Sequence, residues 1–166
     1  MKFDNTRVRR QDRLLDEARA RELLATAEWG VLSMVDKGGV PYGVPLNFVW
    51  DTDGGDGDSI YIHCAPEGRK LAILESGECV SFCVVGKVNL LPSQFTTEYE
   101  SIILECEATI CTSDEERNYA IELLLRKLSP HDMAVGMKYA QKSMHRTCIV
   151  RLDIITWSGK RKKMRR

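Results

Sequence analysis

No apolar run in this chain approaches the roughly 20 residues that cross a bilayer, so no transmembrane helix is predicted. Its first ten residues, Met-Lys-Phe-Asp-Asn-Thr-Arg-Val-Arg-Arg, lack the apolar core of a signal peptide, and a cytoplasmic location is expected. Metal-type spacing is missing too. The six cysteines (64, 79, 83, 106, 111 and 148) include no Cys-x-x-Cys, and their two close pairs are separated by three and four residues with no histidine nearby. They lie in apolar, strand-like runs, where a reduced thiol behaves as a small hydrophobe, so no metal site is predicted. Gly-x-Gly-x-x-Gly after a strand is also absent, which argues against a Rossmann dinucleotide site. Net charge is zero, with 24 basic and 24 acidic residues. That balance hides six cations between Lys160 and Arg166; setting them aside leaves 18 basic against 24 acidic residues. A basic tail without interleaved aromatics on an acidic body argues against broad nucleic-acid binding.

What is present fits one soluble domain over residues 1–166, with residues 1–11 and 162–166 expected as flexible tails. Residues 14–29 read as a helix with Leu15, Ala18, Leu23, Leu24 and Ala27 as its stripe, ended by Gly30. A strand over 31–35, a turn at Asp36-Lys37-Gly38-Gly39 and an extended run over 40–50 follow. Pro41 and Pro45 make that run an edge strand, or one whose backbone is bared toward a ligand. Residues 51–58, rich in Asp and Gly, resemble a calcium loop only superficially, since the third aspartate is displaced and no glutamate closes it; a hairpin connection is expected. Further strands are predicted over 79–85, 99–111 and 147–157, with an irregular insertion at 86–98 that could lie over a site. Asp114 is expected to cap a helix over 115–128 with Tyr119, Ala120, Leu123 and Leu124 inward, and 133–142 reads as a short further helix. Short strands in hairpin succession point to an antiparallel barrel.

The stretch from Ile60 to Lys70, Ile-Tyr-Ile-His-Cys-Ala-Pro-Glu-Gly-Arg-Lys, is the candidate site. It reads as a strand with Ile60 and Ile62 on one face and Tyr61 and His63 on the other, followed by a helix with Pro66 in its first turn. Free N–H groups at that helix start, with Arg69 and Lys70 beside them, would suit a phosphate, and His63 would reach what the phosphate carries. The same residues read equally as a solvated turn before an amphipathic helix.

Taken with Val-Pro-Tyr-Gly-Val-Pro-Leu-Asn-Phe at 40–48, this stretch resembles the pyridoxamine-phosphate-oxidase-like FMN-binding split barrels, in their nitroimidazole-resistance branch. Trp29-Gly30-Val31-Leu32, Tyr99-Glu100-Ser101-Ile102-Ile103 and residues 154–160 extend the resemblance over about 12–161. It implies a mainly β fold, a six-stranded antiparallel split β-barrel with an N-terminal helix and peripheral helices, forming a homodimer with FMN in the interface groove. Val44, Pro45, Leu46 and Asn47 would lie along the isoalloxazine ring. Arg69 and Lys70 match the phosphate-binding cations, Cys64 and Ala65 the small residues of the phosphate turn, and Gly68 belongs to the same motif. His63 matches the branch's histidine near the flavin and is the candidate catalytic residue, although a strand-end histidine bonding a carbonyl is the plain alternative. Trp157 and Lys160 correspond to positions that approach the cofactor from the partner, with Trp157 equally readable as core. The function expected is an FMN-dependent oxidoreductase reducing a small organic acceptor such as a nitroaromatic, with NADH or NADPH as donor. A non-catalytic flavin- or haem-binding protein is the alternative.

Overall fold

The structure is a computed structural model that describes residues 1–54, 58–75, 77 and 79–164. Its strands are β1 (Lys2–Phe3), β2 (Trp29–Val35), β3 (Pro41–Asn47), β4 (Val49–Asp51), β5 (Ser59–Cys64), β6 (Cys79–Val85), β7 (Asn89–Leu91), β8 (Thr96–Ile110) and β9 (Cys148–Lys162). Four helices accompany them: α1 (Glu17–Thr26), α2 (Arg69–Leu74), α3 (Asp114–Leu128) and α4 (Met133–Ser143). The main path runs β3-β2-β6-β8-β9-β5-β4, antiparallel throughout, and curls into a half-barrel. β1 adds to β9 in parallel, and β7 forms a hairpin with β8. Six of the strands are long and three are short, so the expected six-stranded split barrel is what the chain builds.

Alternation makes the core. Leu32, Phe82, Ile102, Leu104, Ile60, Ile62, Val150 and Leu152 project inward and are fully buried, and α1 closes one side with Leu23 and Leu24. A second cluster lies on the opposite face, where Ala120, Leu123 and Leu124 of α3 cover Val49, Tyr61 and Ile149. The chain turns inward at Phe48, which splits the extended run expected over 40–50 into β3 and β4. Phe48 is buried edge-to-face on Phe82, with ring centroids 5.1 Å apart. Above it, Lys127 Nζ stands 4.0 Å from the ring centroid with no hydrogen-bond partner among the described residues. Burial pushes this amine down to about 8, the nearby charge of Glu28 opposing the shift.

Several boundaries differ from the sequence reading. α1 starts only after Asp16, whose carboxylate accepts the Arg19 N–H at 2.9 Å, and it ends before Trp29-Gly30, which open β2. α2 begins at Arg69 behind Gly68, so Pro66 sits in the connecting bend rather than in a helical turn. Ser113, not Asp114, caps α3. The insertion at 86–98 is largely the β7–β8 hairpin. β9 continues through Lys162 because its last residues pair with the start of β8, which takes Lys160, Arg161 and Lys162 out of the expected exit and tail. Residues 1–11 are tied down as well: β1 pairs with β9, the Met1 amine meets the Asp58 carboxylate, and Asn5 bonds Leu15 and Gly159. The expected hairpin after β4 holds at its base, where Asp51 pairs with Ser59; residues 55–57 of that loop, like the last two of the tail, lie outside the described residues.

Candidate functional site

The path of the sheet ends at β3 on one side, and β5 with β4 ends it on the other; between β3 and β5 the barrel is split. Trp29, Pro45, Leu46, Asn47 and His63 line the opening. Phase explains why two prolines are tolerated there. The Asp36 N–H donates to the Val40 carbonyl, which sets the hydrogen-bonded pairs between β2 and β3 at alternate residues: Tyr42, Val44 and Leu46. Pro41, Gly43, Pro45 and Asn47 therefore turn their backbone groups away from β2. The missing N–H groups of both prolines fall on that outward edge, so β3 pairs along its full length and loses nothing to them. This agrees with the reading of the run as an edge strand. Outward carbonyls and the N–H groups of Gly43 and Asn47 remain along the split.

Side chains follow the same alternation. Val44 and Leu46 pack against the core, while Pro45 and Asn47 are exposed. Asn47 Nδ2 donates to the Glu28 carbonyl at 3.0 Å, which ties its side chain to the end of the segment before β2.

At the Tyr42 end of β3 stands Arg69. Its guanidinium stacks over the Tyr42 ring, 4.5 Å from the centroid, and Nη2 reaches Asp36 Oδ2 at 3.2 Å. Tyr42 to Asn47 spans about 17 Å of extended chain, so the cation marks one end of the split and His63 the other. Lys70 lies close enough to His63 and Cys148 to act on the charge of both. With only six residues, α2 has a weak macrodipole; the positive character of this corner comes from Arg69 and Lys70. Gly68 introduces them with φ of 123° and ψ of 170°, a conformation that essentially only glycine adopts. Cys64 faces Cys148 across the β5–β9 ladder, both as free thiols, and Ala65 is exposed beside them.

His63 is exposed on β5, but neighbouring atoms crowd its ring. That partial burial first, and the charge of Lys70 second, hold its pKa below the ordinary 6.5, so the imidazole is neutral at pH 7. A lowered folded-state value means the unfolded chain binds more protons as pH falls. Stability is therefore expected to decline below about pH 6.5, the unfolded histidine value. His63→Gln should flatten that decline in melting curves from pH 7.5 to 5; parallel curves for the two proteins would refute the assignment.

Trp157 is placed elsewhere. Its indole is 1% exposed, packed edge-on against Phe3 within the core, which is the core reading of that residue. Lys160 has a surface-facing position on β9, beside Ser158 and Ile103 on the outer face of the sheet, at the far end of the strand from Ile149, which pairs with His63. The structure thus gathers Pro45, Leu46, Asn47 and His63 at one opening, with Arg69 at its far end. It adds Trp29, Asp36 and Tyr42, which the sequence reading passed over. The residue after an N-terminal helix and the aromatic within Pro-Tyr-Gly-Val-Pro carry no local sign of such a role.

An antiparallel half-barrel with a groove at its split defines a split-barrel protein. A model of the family described as pyridoxamine 5'-phosphate oxidase matches residues 16–161, and the chain belongs to that family. No curated protein matches it. Among solved structures, one from Bacteroides thetaiotaomicron VPI-5482, described as a candidate 5-nitroimidazole antibiotic resistance protein, is 20% identical with TM-score 0.73, over 89% of this chain and 85% of that one. The FAD and haem binding protein from Mycobacterium smegmatis is 22% identical with TM-score 0.75, over 93% and 75%. The flavocytochrome Anf3 from Azotobacter vinelandii is 18% identical with TM-score 0.74, over 97% and 75%. At these identities the likeness is one of fold.

Proposed function

We propose that the chain is an FMN-binding flavoprotein that works as a homodimer and reduces a small organic acceptor. The observation that carries this reading is the split itself: an outward backbone edge on β3 faces His63, with Arg69 at the opposite end. Those residues fit the group. Alternating carbonyl and N–H groups suit the polar rim of an isoalloxazine, the exposed Trp29 and Pro45 suit its apolar faces, and two cations suit a phosphate monoester. When bound, flavin supplies reversible two-electron chemistry; the protein holds it, orients it and shields it from water. His63, neutral at pH 7, can accept a hydrogen bond or a proton at one ring nitrogen and donate from the other. Exposed Ile103 and Ile155 on the outer face of β8 and β9 would supply apolar area for a second copy, and on this reading Lys160 at their side would approach the partner's cofactor. The nitroimidazole-resistance branch and a nicotinamide donor are the finer part of the proposal, supported by the fold of one neighbour and by the sequence motifs.

A single titration tests it. Freshly purified protein should be yellow, or should quench added FMN fluorescence at a stoichiometry of one per chain, and NADH or NADPH with a nitroaromatic should turn it over. Colourless protein that takes up no FMN would overturn the reading. Loaded His63→Ala protein with full reductase activity would remove His63 from catalysis and leave the binding role. A haem-type spectrum would favour the second reading, for which a neutral imidazole at an open groove is the supporting feature.

A further inference from the structure

A second cavity, of about 250 Å³, lies between α3 and α4 and shares His63 with the split. Its walls are Ile121, Leu124, Leu128, Ala140 and Met144, with His63 at one end. Close helix packing makes its floor: a Cβ added at Gly136 would lie 2.6 Å from Leu125 Cδ2. We propose that this cavity binds an uncharged molecule of one or two fused rings, and that it is the acceptor's site, with His63 as the wall it shares with the split. The role as acceptor site rests on the flavin reading above; the binding itself does not.

The polar inventory selects the occupant. Ser143 Oγ donates to the Tyr139 carbonyl at 2.9 Å, and Thr147 Oγ1 donates to the Ser143 carbonyl at 3.1 Å, so both hydroxyl protons are already engaged. Among the described residues, no Lys or Arg lines the cavity. The cation beside it, Arg117, gives Nη2 to the Met144 and Thr147 carbonyls at 2.8 and 3.0 Å and Nη1 to Asp114 at 3.0 Å. A carboxylate or phosphate entering here would meet an apolar lining, with Lys70 beyond His63 as the nearest cation not already engaged. An apolar ring loses little and gains contact with Leu124, Leu128 and Met144. Size agrees, because an apolar cavity of about 150 Å³ accepts benzene and this one is larger. The lining therefore favours an uncharged ring over the phosphorylated kind of substrate that the family's description names.

The test uses 2-naphthol and naphthalene-2-sulfonate, followed by calorimetry and by proton Overhauser contacts at pH 7.5, on the full chain as purified and after FMN addition. Expected are saturable binding of 2-naphthol, at least tenfold weaker binding of the sulfonate, and ring contacts to the methyl groups of Leu124 and Met144. Ala140→Phe, which fills the cavity, should lower 2-naphthol affinity at least tenfold and leave FMN affinity unchanged. Equal binding of the two probes, ring contacts elsewhere, or unchanged affinity in folded Ala140→Phe would overturn the proposal. The Overhauser contacts need no variant, so they decide the matter if Ala140→Phe does not fold. Protein that refuses FMN yet binds 2-naphthol at these methyls would sink the flavin reading and keep the cavity; the converse result would do the reverse.

Discussion

Replacing Arg69 and Lys70 together with alanine is expected to weaken FMN binding by about 10²–10⁴-fold while leaving the protein folded. Each charge-assisted contact to a phosphate contributes about 1.5–3 kcal/mol, and about 1.4 kcal/mol corresponds to a factor of ten. Against this, Arg69 must give up Asp36. That pair is half open to solvent, with side chains 49% and 29% exposed, and such a pair contributes only about 0–1 kcal/mol. The dianionic tail wins the exchange. Neither cation belongs to the buried core, so the double variant should unfold at nearly the temperature of the parent. Fluorescence titration of FMN, with circular dichroism as the folding control, measures both. Affinity within threefold of the parent would show that the phosphate, if bound, sits elsewhere.

Phe48→Ala should be the most damaging single truncation near the site, costing about 3–5 kcal/mol of stability. Phe48 is fully buried, its ring lies edge-on against Phe82, and it is the point where the chain passes from β3 to β4. Removing it leaves a cavity that the two sheet strands, fixed by their ladders, cannot close. It also removes the ring face beneath Lys127, whose amine has no hydrogen-bond partner among the described residues and is already held down to about 8 by burial. For a chain of this size the melting temperature should fall by roughly 6–20 °C. Phe48→Leu keeps most of the volume and should lose far less. Urea unfolding of the three proteins decides it, and a loss under about 1 kcal/mol in Phe48→Ala would mean that the core rearranges to fill the space.

Local patterns were legible where one force dominated. β6 falls on the same residues as predicted, 79–85, because Cys-Val-Ser-Phe-Cys-Val-Val alternates and lies between polar neighbours. The hairpin at Asp36–Gly39 was equally clear, since Asp36 accepts the Gly38 and Val40 N–H groups and Gly39 takes φ of 79°. The edge position of β3 followed from its prolines. Boundaries failed where long-range pairing overrode composition. Lys160, Arg161 and Lys162 look like a solvated tail, yet β8 extends far enough to pair with each of them. Trp29-Gly30 continue an apolar period across the end of α1, and Gly30 is needed for packing, not for ending the helix: a Cβ there would lie 2.8 Å from the Cys83 carbonyl oxygen. In the site, the motif residues His63, Arg69 and Lys70 were visible, whereas Asp36 and Tyr42 were not, because they meet Arg69 only through the fold. The cavity behind His63 was hidden for another reason. Leu124, Leu128 and Ala140 at helical spacing have the pattern of ordinary core, and only the distance between two helices distinguishes a packed seam from a vacant one.

The Asp36–Arg69 pair has a bearing on selectivity. A guanidinium already satisfied by a carboxylate gains almost nothing by trading it for another singly charged group, so Arg69 itself offers acetate, chloride or an acidic side chain little advantage. A phosphate monoester carries about −1.5 to −2 near neutral pH and can compensate Lys70 at the same time. On the proposed reading this corner would favour a doubly charged phosphate over singly charged anions, with Asp36 holding Arg69 in place until it arrives.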